Sequence, residues 1–125
     1  MRALLIDDSR VTRMVLGRIV KDLGFEVAEA EDGRQGLEEL SQQAPIAVAL
    51  IDGHMPGMDG WEVMRAVRAN PAFSGLRMLL ISGEQKQEEF QRALDAGADG
   101  YLVKPFTRDG LAEEFRRIGL RTGDA

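Results

Sequence analysis

Apolar residues in this chain gather into five short runs, and the stretches between them repeat their apolar positions at helical spacing. The first run, Ala3 to Ile6, stops at Asp7-Asp8-Ser9. Ser9 is placed to cap a helix from about Arg10 to Leu23. Val11, Val15, Ile19 and Leu23 recur every four residues and predict its buried face, with Gly24 as the breaker behind it. Phe25 to Ala30 begins with the alternation of a less buried strand. Asp32 then caps a second helix that turns Leu37 and Leu40 inward and ends before Pro45. Ile46 to Ile51 is apolar without interruption and short, the pattern of a strand buried on both faces. It ends at Asp52, and a loop through Gly53, Pro56, Gly57 and Gly60 leads into a third helix with Val63, Met64 and Val67 inward. Trp61, at the start of that helix, is expected to be partly exposed. Pro71 and Gly75 break the helix, and Arg77 to Ser82 reads as a fourth strand. A fourth helix, roughly Gln85 to Ala96, is predicted to bury Phe90, Ala93 and Leu94 and to stop at Gly97. Tyr101 to Val103 makes a fifth strand ending at Lys104-Pro105, and Thr107 caps a fifth helix carrying Leu111, Phe115 and Ile118 on one face.

Strands alternating with helices over short loops predict an α/β, doubly wound fold, a parallel sheet between two helical layers. Residues 1–120 are expected to form one domain, with 121–125 a short C-terminal tail. Composition changes this picture only by exclusion. Apolar content of 44% and charged content of 30% are ordinary for a globular domain. The balance of 16 basic against 21 acidic residues argues against a nucleic-acid surface, which needs concentrated positive charge. No apolar run approaches the roughly 20 residues that span a bilayer, and Asp7-Asp8 interrupts the amino terminus too early for a signal peptide. A cytoplasmic protein without membrane contact is expected. The absence of cysteine removes thiol chemistry and disulfides, and a single histidine excludes a multi-histidine metal site.

In a parallel sheet all carboxyl ends lie at one edge, where open α/β sheets place their chemistry. Asp7 and Asp8 follow strand one, Asp52 ends strand three, Ser82 strand four and Lys104 strand five. Three carboxylates in one cleft repel one another and shift their pKa values upward, and a divalent cation relieves that repulsion. Oxygen ligands with room for water suit Mg²⁺, with Mn²⁺ as the alternative. With a cation and Lys104 in place the cleft suits a phosphoryl group, because phosphoryl transfer depends mainly on positioning and neutralising oxygens. Asp52, on the most buried strand, is the best-placed nucleophile, and its product is an aspartyl phosphate.

These motifs, in this order and at these strand ends, resemble a response-regulator receiver domain, close to the single-domain chemotaxis type, over essentially the whole chain. The matching residues are Asp7-Asp8, Asp52 with Met55-Pro56-Gly57-Met58-Asp59-Gly60 behind it, Ser82, Tyr101 and Lys104-Pro105. The resemblance implies a five-stranded flavodoxin-like sheet in order 2-1-3-4-5, and phosphoryl transfer to Asp52 from a sensor histidine kinase or phosphotransfer protein. It implies Mg²⁺ held by Asp8, Asp52 and the backbone carbonyl of His54, with Asp7 acting through water. Ser82 and Tyr101 match the family's switch pair, and Lys104-Pro105 matches a peptide bond that is usually cis. Such a chain is a signalling phosphoacceptor rather than an enzyme, although it promotes its own phosphorylation and dephosphorylation. His54, two residues after Asp52, and Glu84, two after Ser82, are candidates for setting the lifetime of the aspartyl phosphate. Gly83 stands where alanine is commoner and is expected to widen the mouth of the site.

Rival classes fit less well. A haloacid-dehalogenase-type phosphatase needs a second acid two residues after its strand-one nucleophile, where Ser9 stands. A flavin-binding flavodoxin presents hydroxyls and glycines where Asp7-Asp8 would repel phosphate. A receiver-fold module that binds partners without phosphorylation usually lacks an acid or the lysine, and this chain retains them. Output is expected through the surface of the fourth helix, fifth strand and fifth helix, including Phe90, Arg92, Tyr101, Lys104 and Phe106. The chain is expected as a monomer or a phosphorylation-dependent dimer, either free-standing or as the receiver of a multidomain regulator.

Overall fold

The computed structural model describes residues 1–42, 45–83 and 86–122. Strands β1 (Arg2–Ile6), β2 (Glu26–Ala30), β3 (Val48–Asp52), β4 (Arg77–Ser82) and β5 (Gly100–Val103) alternate with helices α1 (Arg10–Asp22), α2 (Gly33–Gln42), α3 (Gly60–Arg68), α4 (Gln87–Asp95) and α5 (Arg108–Arg117), with a short 3₁₀ turn at Pro71–Phe73. The strands form one parallel sheet in the order β2-β1-β3-β4-β5. The chain thus reverses its direction of travel across the sheet between β1 and β3, which opens a crevice beyond their carboxyl ends.

Alternation along the strands feeds two cores. Leu4, Ile6, Ala49, Ile51, Met78 and Leu80 face α2, α3 and α4, where Leu40, Trp61, Val63, Met64, Val67, Phe90 and Ala93 cover them. Leu5, Val48, Leu50, Leu79 and Ile81 face the other way, under Leu16, Val20, Leu23, Leu111 and Phe115 of the α1–α5 layer. All residues of β3 are buried, as its apolar run requires of a central strand covered on both faces. Helix starts follow the predicted caps. The Ser9 Oγ accepts from the Thr12 N–H (3.2 Å), the Asp32 Oδ1 from the Gln35 N–H (2.8 Å) and the Thr107 Oγ1 from the Gly110 N–H (3.0 Å). Asp59 and Glu62 close a reciprocal capping box on α3.

Three burial expectations need correction. Val11 and Val15 are 64% and 44% exposed, and the inward face of α1 is instead Leu16, Gly17 and Val20, with Leu23 just beyond the helix. A stripe of every fourth residue drifts about 40° per step around a helix, so it cannot stay against one sheet. The face actually used follows the 13, 16, 17, 20 spacing, and a Cβ on Gly17 would make only ordinary contact with Leu5 and Val27. Leu94 is 45% exposed, because α4 meets the sheet through Phe90 and Ala93 alone. Trp61 is 2% exposed, not partly exposed, and its ring lies against Gly53, where a Cβ would come within 2.8 Å of the indole. The start predicted for the fourth helix, at Gln85, lies outside the described residues.

Candidate functional site

The crevice beyond β1 and β3 holds Asp7, Asp8 and Asp52, and one carboxylate oxygen from each lies within 4.8 Å of the others. The three are the group of potential metal ligands found among the described residues. Asp7 is buried and held at several points. Its N–H donates to the Ala30 carbonyl at 3.1 Å, extending the β1–β2 ladder by one bond. Its Oδ1 accepts from the Ser9 N–H at 2.7 Å, and its own carbonyl accepts from the Arg13 guanidinium at 2.6 Å. The remaining oxygen, Oδ2, is buried with no hydrogen-bond partner. A buried carboxylate oxygen without a partner is costly unless a cation meets it. Oxygen donors alone, with exposed Asp8 leaving room for water, fit Mg²⁺. Asp52 is buried at the end of β3, and its Oδ1 accepts from the His54 N–H at 3.2 Å.

The electrostatics follow from this crowding. Burial pushes the Asp52 carboxyl up from 3.8 to about 6, with the charges of Asp7 and then Asp8 adding to the effect; the His54 N–H and Lys104 act against it. Burial likewise raises Asp7, opposed by the Ser9 N–H, Lys104 and Arg13. Burial and mutual repulsion of the acids thus outweigh the positive charge that the cleft itself supplies.

Around the crevice, Lys104 follows β5, its N–H bonded to the Ser82 carbonyl at 2.9 Å, and the Lys104-Pro105 bond is cis as expected. Ser82 is buried at the end of β4. Tyr101 lies outward on β5, its ring stacked on Phe90 of α4 with centroids 3.7 Å apart. Among the described residues, a Cβ added to Gly83 would meet no atom within 4 Å, which leaves room at this part of the rim. Glu84, expected beside His54, lies outside the described residues. The ring of His54 instead turns to α4, where its Nε2 meets the Glu89 carboxylate. Trp61 donates its indole N–H to the Glu89 carbonyl (3.4 Å), and the Arg92 guanidinium lies 4.1 Å above the Trp61 ring. Arg13 and Glu89 both escaped the sequence reading. Arg13 carried a usable signal, since it falls in register with Leu16, Gly17 and Val20; Glu89 carried none.

Residues 3–116 match the family model described as the response regulator receiver domain. The chain belongs to that family. Among curated relatives, this receiver is 37% identical to the chemotaxis protein CheY of Pseudomonas aeruginosa, over 94% of this chain and 95% of that protein. It is 35% identical to the chemotaxis protein CheY-3 of Vibrio cholerae, over 94% and 91%. Among solved structures it resembles the chemotaxis protein CheY4 of Vibrio cholerae at a TM-score of 0.86 and 34% identity, covering 94% of this chain and 97% of that one. The receiver is therefore CheY-like and belongs to two-component signalling, whose receivers act as signalling proteins rather than as conventional enzymes and generally bind Mg²⁺ in an acidic pocket. No helix among the described residues is long and apolar enough to cross a membrane.

Proposed function

We propose that this receiver accepts a phosphoryl group on Asp52 from a sensor histidine kinase or phosphotransfer protein, and that the modification switches a surface read by a downstream protein. The observation that carries the reading is the convergence of three carboxylates at the end of the central strands, one of which, Asp7, has a buried oxygen with no hydrogen-bond partner. In the transfer, an Asp52 oxygen bonds to phosphorus as the donor's phosphorus–nitrogen bond breaks, and the donor imidazole leaves with the electron pair. Asp8, Asp52 and the His54 carbonyl would hold Mg²⁺, with Asp7 acting through water, and the cation would supply charge neutralisation to phosphoryl oxygens. Lys104, just beyond the carboxyl end of β5, supplies a positive charge to a phosphoryl oxygen, and the Ser82 hydroxyl donates to another. Tyr101 follows Ser82 by turning inward from its place on Phe90, which alters the α4-β5-α5 surface that includes Arg92, Lys104 and Phe106. We assign the working domain to residues 1–120.

Intact-mass measurement after mixing with acetyl phosphate tests this directly. A phosphoryl adduct is expected with Mg²⁺, lost on chelation and absent from Asp52→Asn. An unchanged adduct in the variant would place the acceptor elsewhere, and no adduct together with no beryllofluoride response would leave a phosphorylation-independent binding module.

The rim sets the rates. Gly83→Ala narrows an open mouth without a clash and is expected to slow adduct formation from acetyl phosphate severalfold. His54, with Glu84, is proposed to position or exclude the attacking water, so His54→Ala is expected to change the adduct's half-life while leaving its rate of formation within about twofold. Time courses of adduct mass decide both, and unchanged kinetics would assign the rim no role.

A further inference from the structure

The inward face of α1 begins with a cation. Arg13 stands in register with Leu16, Gly17 and Val20, and its side chain is only 13% exposed. A guanidinium is costly to bury without partners, so its two bonds indicate what holds it there. Its Nε donates to the Glu29 carboxylate on β2 at 3.0 Å, and its Nη1 donates to the backbone carbonyl of Asp7 at 2.6 Å. The planar fork thus ties the end of β1 to α1 and β2 at once. With the Asp7 N–H on Ala30 and its Oδ1 on the Ser9 N–H, the Arg13 bond completes a set of restraints that leaves one polar atom of Asp7 without a partner. That atom is Oδ2, buried in a crevice whose three acids bring their oxygens together.

We propose that Arg13 is a positioning residue for the cation site, holding the Asp7 backbone so that Oδ2 is delivered to Mg²⁺ or to the water bound to it. Glu29 is the second half of the device, because it fixes the guanidinium against β2 and balances its charge. Arg13 touches neither the phosphoryl group nor the metal in this account; it acts through Asp7. The inference rests on the proposed function in one respect, that the crevice takes Mg²⁺. Residues that orient metal ligands in this way usually change metal affinity by about 10–100-fold when removed, with little effect on the chemistry once metal saturates the site.

The test is calorimetric titration of the intact chain with Mg²⁺, comparing wild type with Arg13→Met, Arg13→Lys and Glu29→Gln, alongside the Mg²⁺ dependence of adduct formation from acetyl phosphate. Urea unfolding in chelator establishes that each variant is folded at the temperature used. Arg13→Met is expected to weaken Mg²⁺ binding on the order of tenfold while the adduct rate at saturating Mg²⁺ stays within about twofold of wild type. Arg13→Lys, which keeps a donor for the Asp7 carbonyl, is expected to recover part of the loss, and Glu29→Gln to lie between wild type and Arg13→Met. An Arg13→Met variant that is less stable in urea yet binds Mg²⁺ like wild type would make the pair a simple tie between α1 and β2 and overturn the inference. A lowered rate at saturating Mg²⁺ with unchanged affinity would overturn it too. Should the wild-type chain itself take up no Mg²⁺, the phosphoacceptor reading falls first; wild-type binding with unaffected variants sinks only the role of Arg13.

Discussion

Asp52→Asn is expected to stabilise the fold by about 2 kcal/mol at pH 7.5 in metal-free buffer, although it removes the residue on which the proposed function depends. Burial and two neighbouring acids hold the Asp52 carboxyl up at about 6, against an ordinary value of 3.8. Asp7 is raised as well. A raised carboxyl means that the folded chain keeps a proton the unfolded chain has already released. The stability from this source is fully present below about pH 3.8 and is lost as pH rises through about 6. One pKa unit corresponds to about 1.4 kcal/mol, and solvent at the crevice mouth discounts the full shift to about 2 kcal/mol. Asparagine removes the charge and keeps an oxygen for the His54 N–H that Asp52 now binds. Urea unfolding of both proteins from pH 4 to pH 7.5 should therefore show a small gap at the acid end that widens toward neutrality. Saturating Mg²⁺ should close the gap at pH 7.5 by stabilising the wild type alone. A gap that is constant across pH would mean that repulsion and burial of charge are not its source.

Gly60→Ala is the most damaging small substitution expected near the site. Gly60 opens α3, and its N–H donates to the Gly53 carbonyl at 3.0 Å. A Cβ there would lie 2.3 Å from the Asp52 carbonyl oxygen and 2.8 Å from the Gly53 Cα. Both obstacles are backbone, so no side chain can swing aside. Alanine in a helix gains up to about 1 kcal/mol over glycine. Overpacking typically costs about 1–3 kcal/mol, and a clash against backbone belongs at the upper end. The clash wins, and a net loss of about 2 kcal/mol is expected. Because relief requires α3 or the end of β3 to move, the Asp52 carboxylate moves with it, and adduct formation should fall on the order of tenfold or more. Gly75→Ala is the control, since nothing lies within 4 Å of its added carbon. If Gly60→Ala were as stable and as reactive as wild type, the start of α3 would not brace the loop.

The sequence by itself determined the order of elements, the doubly wound parallel sheet and the strand ends at which the acids, the serine and the lysine stand. These were legible because their signals are local. A short unbroken apolar run marks a central strand, a capping residue marks a helix start, and parallel strands bring all carboxyl ends to one edge whatever the details of packing. Asp7, Asp8 and Asp52 are neighbours for that reason alone. Tertiary structure decided how each helix is rotated on the sheet and which polar groups go under it. Val11 and Val15 look as apolar as Leu16 and Val20 in a list of residues, and only packing of the second pair with Leu5, Val27 and Phe115, together with the bond from Arg13 to the Asp7 carbonyl, selects it. Trp61 is buried because Gly53 leaves room for its ring, a fit between two elements that no periodicity records. The largely buried Arg13 and Glu89 find their partners 16 and 35 residues away, at Glu29 and His54. A charge is tolerated inside only where such a partner waits, and the folded chain alone brings the partners together.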